Sequence, residues 1–123
     1  LLDFTGYACV NCRKMEDYVW SDPAILKILQ DEVVLISLYV DDKRELPKSE
    51  QYVSKETGKE IVSVGNKWSD FQITKFKANA QPYYIILDKE GNMLSDKPES
   101  YNSDINGYKG WLREGIDKFK KAE

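Results

Sequence analysis

The spacing of apolar positions changes several times along the chain, and each change predicts an element. Leu1-Leu2-Asp3-Phe4 reads as a strand interrupted by one acid. After a loop from Thr5 to Ala8, Cys12, Met15, Glu16 and Val19 fall on one stripe at helical spacing, which predicts a helix from about Val10 to Trp20. Ser21-Asp22-Pro23 stops and restarts it, with Asp22 suited to an N-cap and Pro23 to the first position of a short helix through Gln30. Val33 to Val40 is a continuous apolar run, too short to cross a bilayer and predicted as a buried strand. A strand, a helical crossover of about two dozen residues and a second strand favour a parallel pair in an α/β arrangement.

Asp41 to Glu50 is a polar connection, and alternation from Gln51 to Val64 around Glu56-Thr57-Gly58-Lys59 predicts a β-hairpin outside the main sheet. Ser69-Asp70-Phe71-Gln72 has capping-box spacing, so a helix is expected from there to about Ala78 or Ala80. Gln81-Pro82 ends that helix. Tyr83 to Asp88 is the next strand, joined through Lys89-Glu90-Gly91-Asn92 to a short antiparallel partner near Met93-Leu94. Ser95 to Gly107 reads as loop, and Tyr108, Trp111, Leu112, Ile116 and Phe119 mark an amphipathic terminal helix.

With 123 residues, one domain with one core is expected over 1–123, and 41% hydrophobic residues place the chain among globular proteins. The net charge of −3, with lysines and arginines scattered among acids, argues against nucleic acid or an anionic membrane as partner. The opening residues already read as a strand and show no signal peptide, so the chain is expected to be a fragment of something longer, with any anchor upstream.

The two cysteines of the chain, Cys9 and Cys12, stand two residues apart in DFTGYACVNCRKME. A staple at this spacing closes too small a loop to stabilise the fold much. A metal site needs more ligands than two thiolates, and the chain has no histidine. The missing imidazole also removes Cys-His and Ser-His-Asp catalysis. Redox chemistry survives, because Cys9 lies where a strand and loop feed a helix, whose free N–H groups and dipole favour a thiolate. A C-x-x-C beside a strand-helix-strand pattern has the thioredoxin-like signature.

Two acids bear on this chemistry. Glu16, one turn beyond Cys12 on the apolar stripe, is expected to face inward, and Asp3 interrupts the strand directly before the loop. On one reading they relay protons to Cys12 when it must become a thiolate. On the other, Glu16 forms an exposed ion pair with Arg13 and Asp3 sits at a solvated strand end.

Asp3-Phe4, four residues, then Cys9-Val10-Asn11-Cys12-Arg13-Lys14-Met15-Glu16, with Ser21-Asp22-Pro23 and Ala80-Gln81-Pro82, resembles the C-terminal thioredoxin-like domain of the bacterial transmembrane thiol:disulfide interchange proteins, the DsbD family. The resemblance covers essentially the whole chain. It implies a central mixed sheet flanked by helices, the hairpin 51–64 as an insertion, and family elements that precede Leu1. It implies that Cys9 attacks, Cys12 resolves, Asp3 and Glu16 are the acid pair, and Pro82 is a cis-proline facing the disulfide. Tyr7, Ala8, Val10 and Gln81 are then the candidate substrate-binding residues. Thioredoxins proper carry Trp where Ala8 stands and Gly-Pro where Val10-Asn11 stands, a departure that bears on partner choice. The resemblance further implies a monomeric periplasmic domain of an inner-membrane protein, with no cofactor or metal beyond the redox-active pair. It would be reduced by the transmembrane domain of the same protein and would reduce disulfide-containing proteins. A disulfide oxidant or isomerase, and a binding module with an inert or metal-carrying pair, are the alternatives.

Overall fold

The computed structural model describes residues 1–122. Its main sheet has three strands in the order β2-β1-β5: β1 (Leu2–Thr5), β2 (Ile36–Tyr39) and β5 (Tyr83–Ile85). The central strand pairs parallel with β2, Asp3 opposite Ser37, and antiparallel with β5, Asp3 opposite Tyr84. A parallel neighbour requires a crossover, supplied by α1 (Val10–Lys14), a π-helical turn (Met15–Val19) that continues it, and α2 (Pro23–Asp31). Asp22 caps α2 by accepting the Ala24 and Ile25 N–H groups, with Pro23 in the first turn as expected.

Alternation along β1 divides the interior. Leu2 and Phe4 point to one face, where Leu38 and Ile85 join Trp68, Phe71 and Phe76 of α3 (Val64–Phe76). Leu1, and by the same period Asp3 and Thr5, belong to the opposite face. That face packs against Met15, Val19, Ile25 and Ile28, and against Tyr108, Trp111 and Leu112 of α4 (Ile105–Ala122). The result is a thioredoxin-like α/β fold, a mixed sheet flanked by four helices.

Three expectations change. Only Ile36–Tyr39 of the run Val33 to Val40 pairs, and it is not a buried strand: Val34 is 76% and Ile36 47% exposed. β2 lies at an edge of the sheet, so its apolar residues are covered only where α3 or β1 reaches them. The hairpin is present but short, with β3 (Tyr52–Val53) against β4 (Glu60–Ile61) and Gly58 at φ +72° in the connection.

The capping box at Ser69 is not a helix start. Helix α3 begins a turn and a half earlier, where the Ser63 hydroxyl accepts the Asn66 N–H at 3.1 Å and the Asn66 side chain accepts the Ser63 N–H at 3.2 Å. Asp70 and Gln72 lie inside the helix and are buried. Asp70 accepts hydrogen bonds from Tyr52 and Ser54, pinning the hairpin to α3. The helix stops at Phe76, with Lys77 left-handed at φ 57°.

The start of α3 also fixes the end of β2. A Cβ on Gly65 would lie 2.5 Å from the Val40 carbonyl oxygen and 2.7 Å from the Asp42 nitrogen, both backbone atoms that cannot rotate away. Gly65→Ala is therefore expected to lower stability by about 1–3 kcal/mol, even though alanine favours a helix. Urea unfolding checks this, and an unchanged midpoint would contradict it.

Candidate redox site

β1 delivers its C-terminal end to a tight loop in which the Cys9 N–H bonds the Gly6 carbonyl at 3.2 Å. Cys9 is the N-cap of α1 and Cys12 lies inside the helix, the two joined as a disulfide. The Cys9 sulfur accepts the Cys12 N–H at 3.2 Å, so it sits on the free donors of a helix start. Cys9 is partly exposed, whereas Cys12 is buried at 1%. Of the two cysteines, only Cys9 has appreciable exposed surface.

The loop before Cys9 is held by a residue the sequence reading missed. The Asp41 carboxylate, just beyond β2, accepts the Tyr7 N–H at 2.8 Å and the Ala8 N–H at 3.1 Å. Burial opposes its ionisation, but these two bonds, a bond from its own backbone N–H and the charge of Arg13 together hold the carboxyl below its ordinary range. Above the loop the Tyr7 ring stacks on Tyr39 at 4.1 Å. Tyr7, Ala8 and Val10 are exposed on either side of Cys9 in the chain.

Asp3 is not at a solvated strand end. It is 2% exposed, and its carboxylate accepts one hydrogen bond, from Ser37 at 2.9 Å. Burial is the main cause that pushes it up to about 6; the Ser37 bond pulls it down, Glu16 pushes it up and Arg13 pulls it down. Glu16 departs from the inward-facing expectation. It is partly exposed and paired with Arg13 at 2.9 Å, because the π-helical turn and the long arginine side chain bring the two charges together at the rim. Asp3 and Glu16 remain close enough to feel each other.

The Gln81-Pro82 bond is cis, as expected, and Pro82 is buried. The Gln81 amide is engaged internally, donating to Gln72 at 3.0 Å, while Gln72 donates to the Ala80 carbonyl at 2.9 Å. Gln72, fully buried, thus organises the turn before Pro82 from α3. Among the described residues no group of three His, Cys, Asp or Glu is arranged to hold a metal ion.

A mixed sheet between helical layers, with a C-x-x-C pair where the central strand feeds a helix, defines a protein of the thioredoxin-fold class. The model of the thioredoxin-like domain family matches residues 1–104, and the chain belongs to that family. Among solved structures it is similar to a DsbH oxidoreductase, with a TM-score of 0.63 at 15% identity over 94% of this chain and 70% of that one. It is also similar to a thioredoxin from Thermus thermophilus, with a TM-score of 0.63 at 17% identity over 98% of this chain and 75% of the other. At such identities the likeness is one of fold. No match to a curated protein sequence was found. The fold and the cysteine spacing together point to thiol–disulfide oxidoreduction.

Proposed function

We propose that the domain is a disulfide reductant that relays electrons from a membrane-embedded donor domain of the same protein to disulfide-containing proteins in the periplasm. The observation that carries the reading is the pairing of an accessible Cys9 with a buried Cys12 on a helix that packs over the face holding Asp3. The relay and the compartment rest on the resemblance of the segment from Asp3 to Glu16 to the DsbD family.

In the reduced protein the Cys9 thiolate, favoured by the N–H groups at the head of α1, attacks one sulfur of a partner disulfide. A mixed disulfide forms and the partner's other sulfur leaves as a thiolate. Cys12 gives its proton to the Asp3 carboxylate and attacks the Cys9 sulfur. That closes the Cys9–Cys12 bond, and the partner leaves as a dithiol once its thiolates take protons from water. Two electrons pass to the partner, and the donor domain returns them by the same exchange in reverse. An acid that titrates at about 6 suits this step, since it takes and returns a proton near working pH.

The reduction potential separates this reading from its rivals. Equilibration with glutathione is expected to give about −230 to −270 mV, the range of reductants, together with reduction of insulin disulfides. A value of about −120 to −180 mV would instead assign an oxidant or isomerase. No insulin reduction would favour a binding module.

A further inference from the structure

Three carboxylates, those of Asp3, Glu16 and Asp41, lie within electrostatic reach of one cation near the start of α1. Arg13, the residue after Cys12, is the cation among them. Its guanidinium lies 2.9 Å from Glu16 and donates to the Thr5 hydroxyl at 3.0 Å. Thr5 has no exposed surface and lies two positions beyond Asp3 on β1, hence on the same sheet face. The arginine side chain is 38% exposed, but its Nε is buried and, among the described residues, has no hydrogen-bond partner, so its inner edge is enclosed while its outer edge meets solvent. Its charge also favours the ionised forms of Asp3 and Asp41. One terminal nitrogen makes both contacts, so the same group links Glu16 at the rim to the buried Thr5 on the sheet face that carries Asp3.

We propose that Arg13 is a positioning residue for the redox step: tethered to Thr5, it offsets the charge of Glu16 so that the proton on Asp3 stays exchangeable with Cys12 during turnover. This rests on the reductant reading above. Without Arg13, the Glu16 carboxylate would act on Asp3 uncompensated, and Asp3 would hold its proton to higher pH. The groups facing Asp3 are Ser37 from β2, Glu16 and Arg13 from the first helix, Tyr84 from β5 and Tyr108 from α4. The two tyrosines are pushed up, first by burial, and stay neutral, so the balance is between Arg13 and Glu16.

Two readouts test it on the full chain. Carboxyl-carbon NMR of the oxidised protein follows the Asp3 titration directly. Reaction of the reduced protein with a chromogenic nitroaryl disulfide follows turnover: Cys9 releases the first aryl thiolate, and attack by Cys12 on the mixed disulfide releases the second. Arg13→Gln is expected to shift the Asp3 midpoint upward, and the pH midpoint of the second release with it. Arg13→Lys should recover part of the shift. The double variant Arg13→Gln/Glu16→Gln should return the Asp3 midpoint toward the wild-type value, because cation and anion leave together.

An unmoved Asp3 in Arg13→Gln, or a double variant as displaced as the single one, would overturn the proposal. Should Arg13→Gln not fold, Glu16→Gln alone carries the test: the Asp3 midpoint should fall, and a fixed midpoint overturns the charge balance. A wild type that never releases a second aryl thiolate would overturn the reductant reading and the use assigned to Arg13. The titrations would still report the charge balance separately.

Discussion

Replacing Cys12 by Ser will turn the domain into a covalent trap, whereas replacing Cys9 by Ser will leave it silent. The difference follows from position. Cys9 caps the helix with its sulfur at the surface, and Cys12 is enclosed one turn on, so an incoming disulfide can be met in line only by Cys9. A mixed disulfide formed by Cys9 persists until Cys12 attacks, and serine cannot do so. Extracts of cells carrying Cys12→Ser, acid-quenched and run without reductant, are expected to show an adduct that dithiothreitol removes. The Cys9→Ser variant should show none, and both should lose insulin reduction to background. An adduct confined to Cys9→Ser would reverse the assignment of attacking and resolving sulfurs. No adduct with either, together with an inactive wild type, would favour a binding module.

Asp3→Asn is expected to make the protein markedly more stable and less active. The folded chain keeps the Asp3 proton to about pH 6, whereas an unperturbed aspartate releases it near 3.8. Between those values the folded state binds the extra proton, so stability declines as pH rises and the loss is complete above about pH 6. A separation of this size corresponds to about 3 kcal/mol at neutral pH. Asparagine is never ionised and escapes it. Urea unfolding of the oxidised protein should show the variant ahead by about 2–3 kcal/mol at pH 7.5 and nearly level at pH 3.5. The second aryl thiolate release should slow at the same time, because Cys12 has lost its proton acceptor. A gain equal at both pH values, or a loss at pH 7.5, would show that Asp3 is not a buried ionisable group.

The stability that Asp3 sacrifices lies where the chemistry is proposed. An acid placed on the inward face of a central strand, bonded to one serine, is a poor choice for packing. Apolar residues fill the same face on either side, from Leu1 to Met15 and Tyr84. A local rule broken at one position of an otherwise consistent core is the pattern expected of a functional site.

Much of this was legible in the one-dimensional pattern. The strand-helix-strand opening, the Asp22-Pro23 restart, the terminal helix and the C-x-x-C at a helix head all follow from spacing and capping chemistry, which act over a few residues. The chain by itself also determined which residues supply the redox pair, since it has two cysteines and no histidine. Tertiary structure decided the rest. Whether Val33 to Val40 is buried depends on what lies beside β2, and the register of Ser69 and Gln72 could not reveal that the helix starts at Ser63 and that Gln72 clips the turn before Pro82. Asp41 grips the loop from 33 and 34 residues away, and Asp3 shares its environment with groups from four other elements. Hydrogen bonds and desolvation of this kind depend on distances in space, and two carboxylates that look alike in the sequence become a buried acid with a raised pKa and a rim ion pair only once the chain has folded around them.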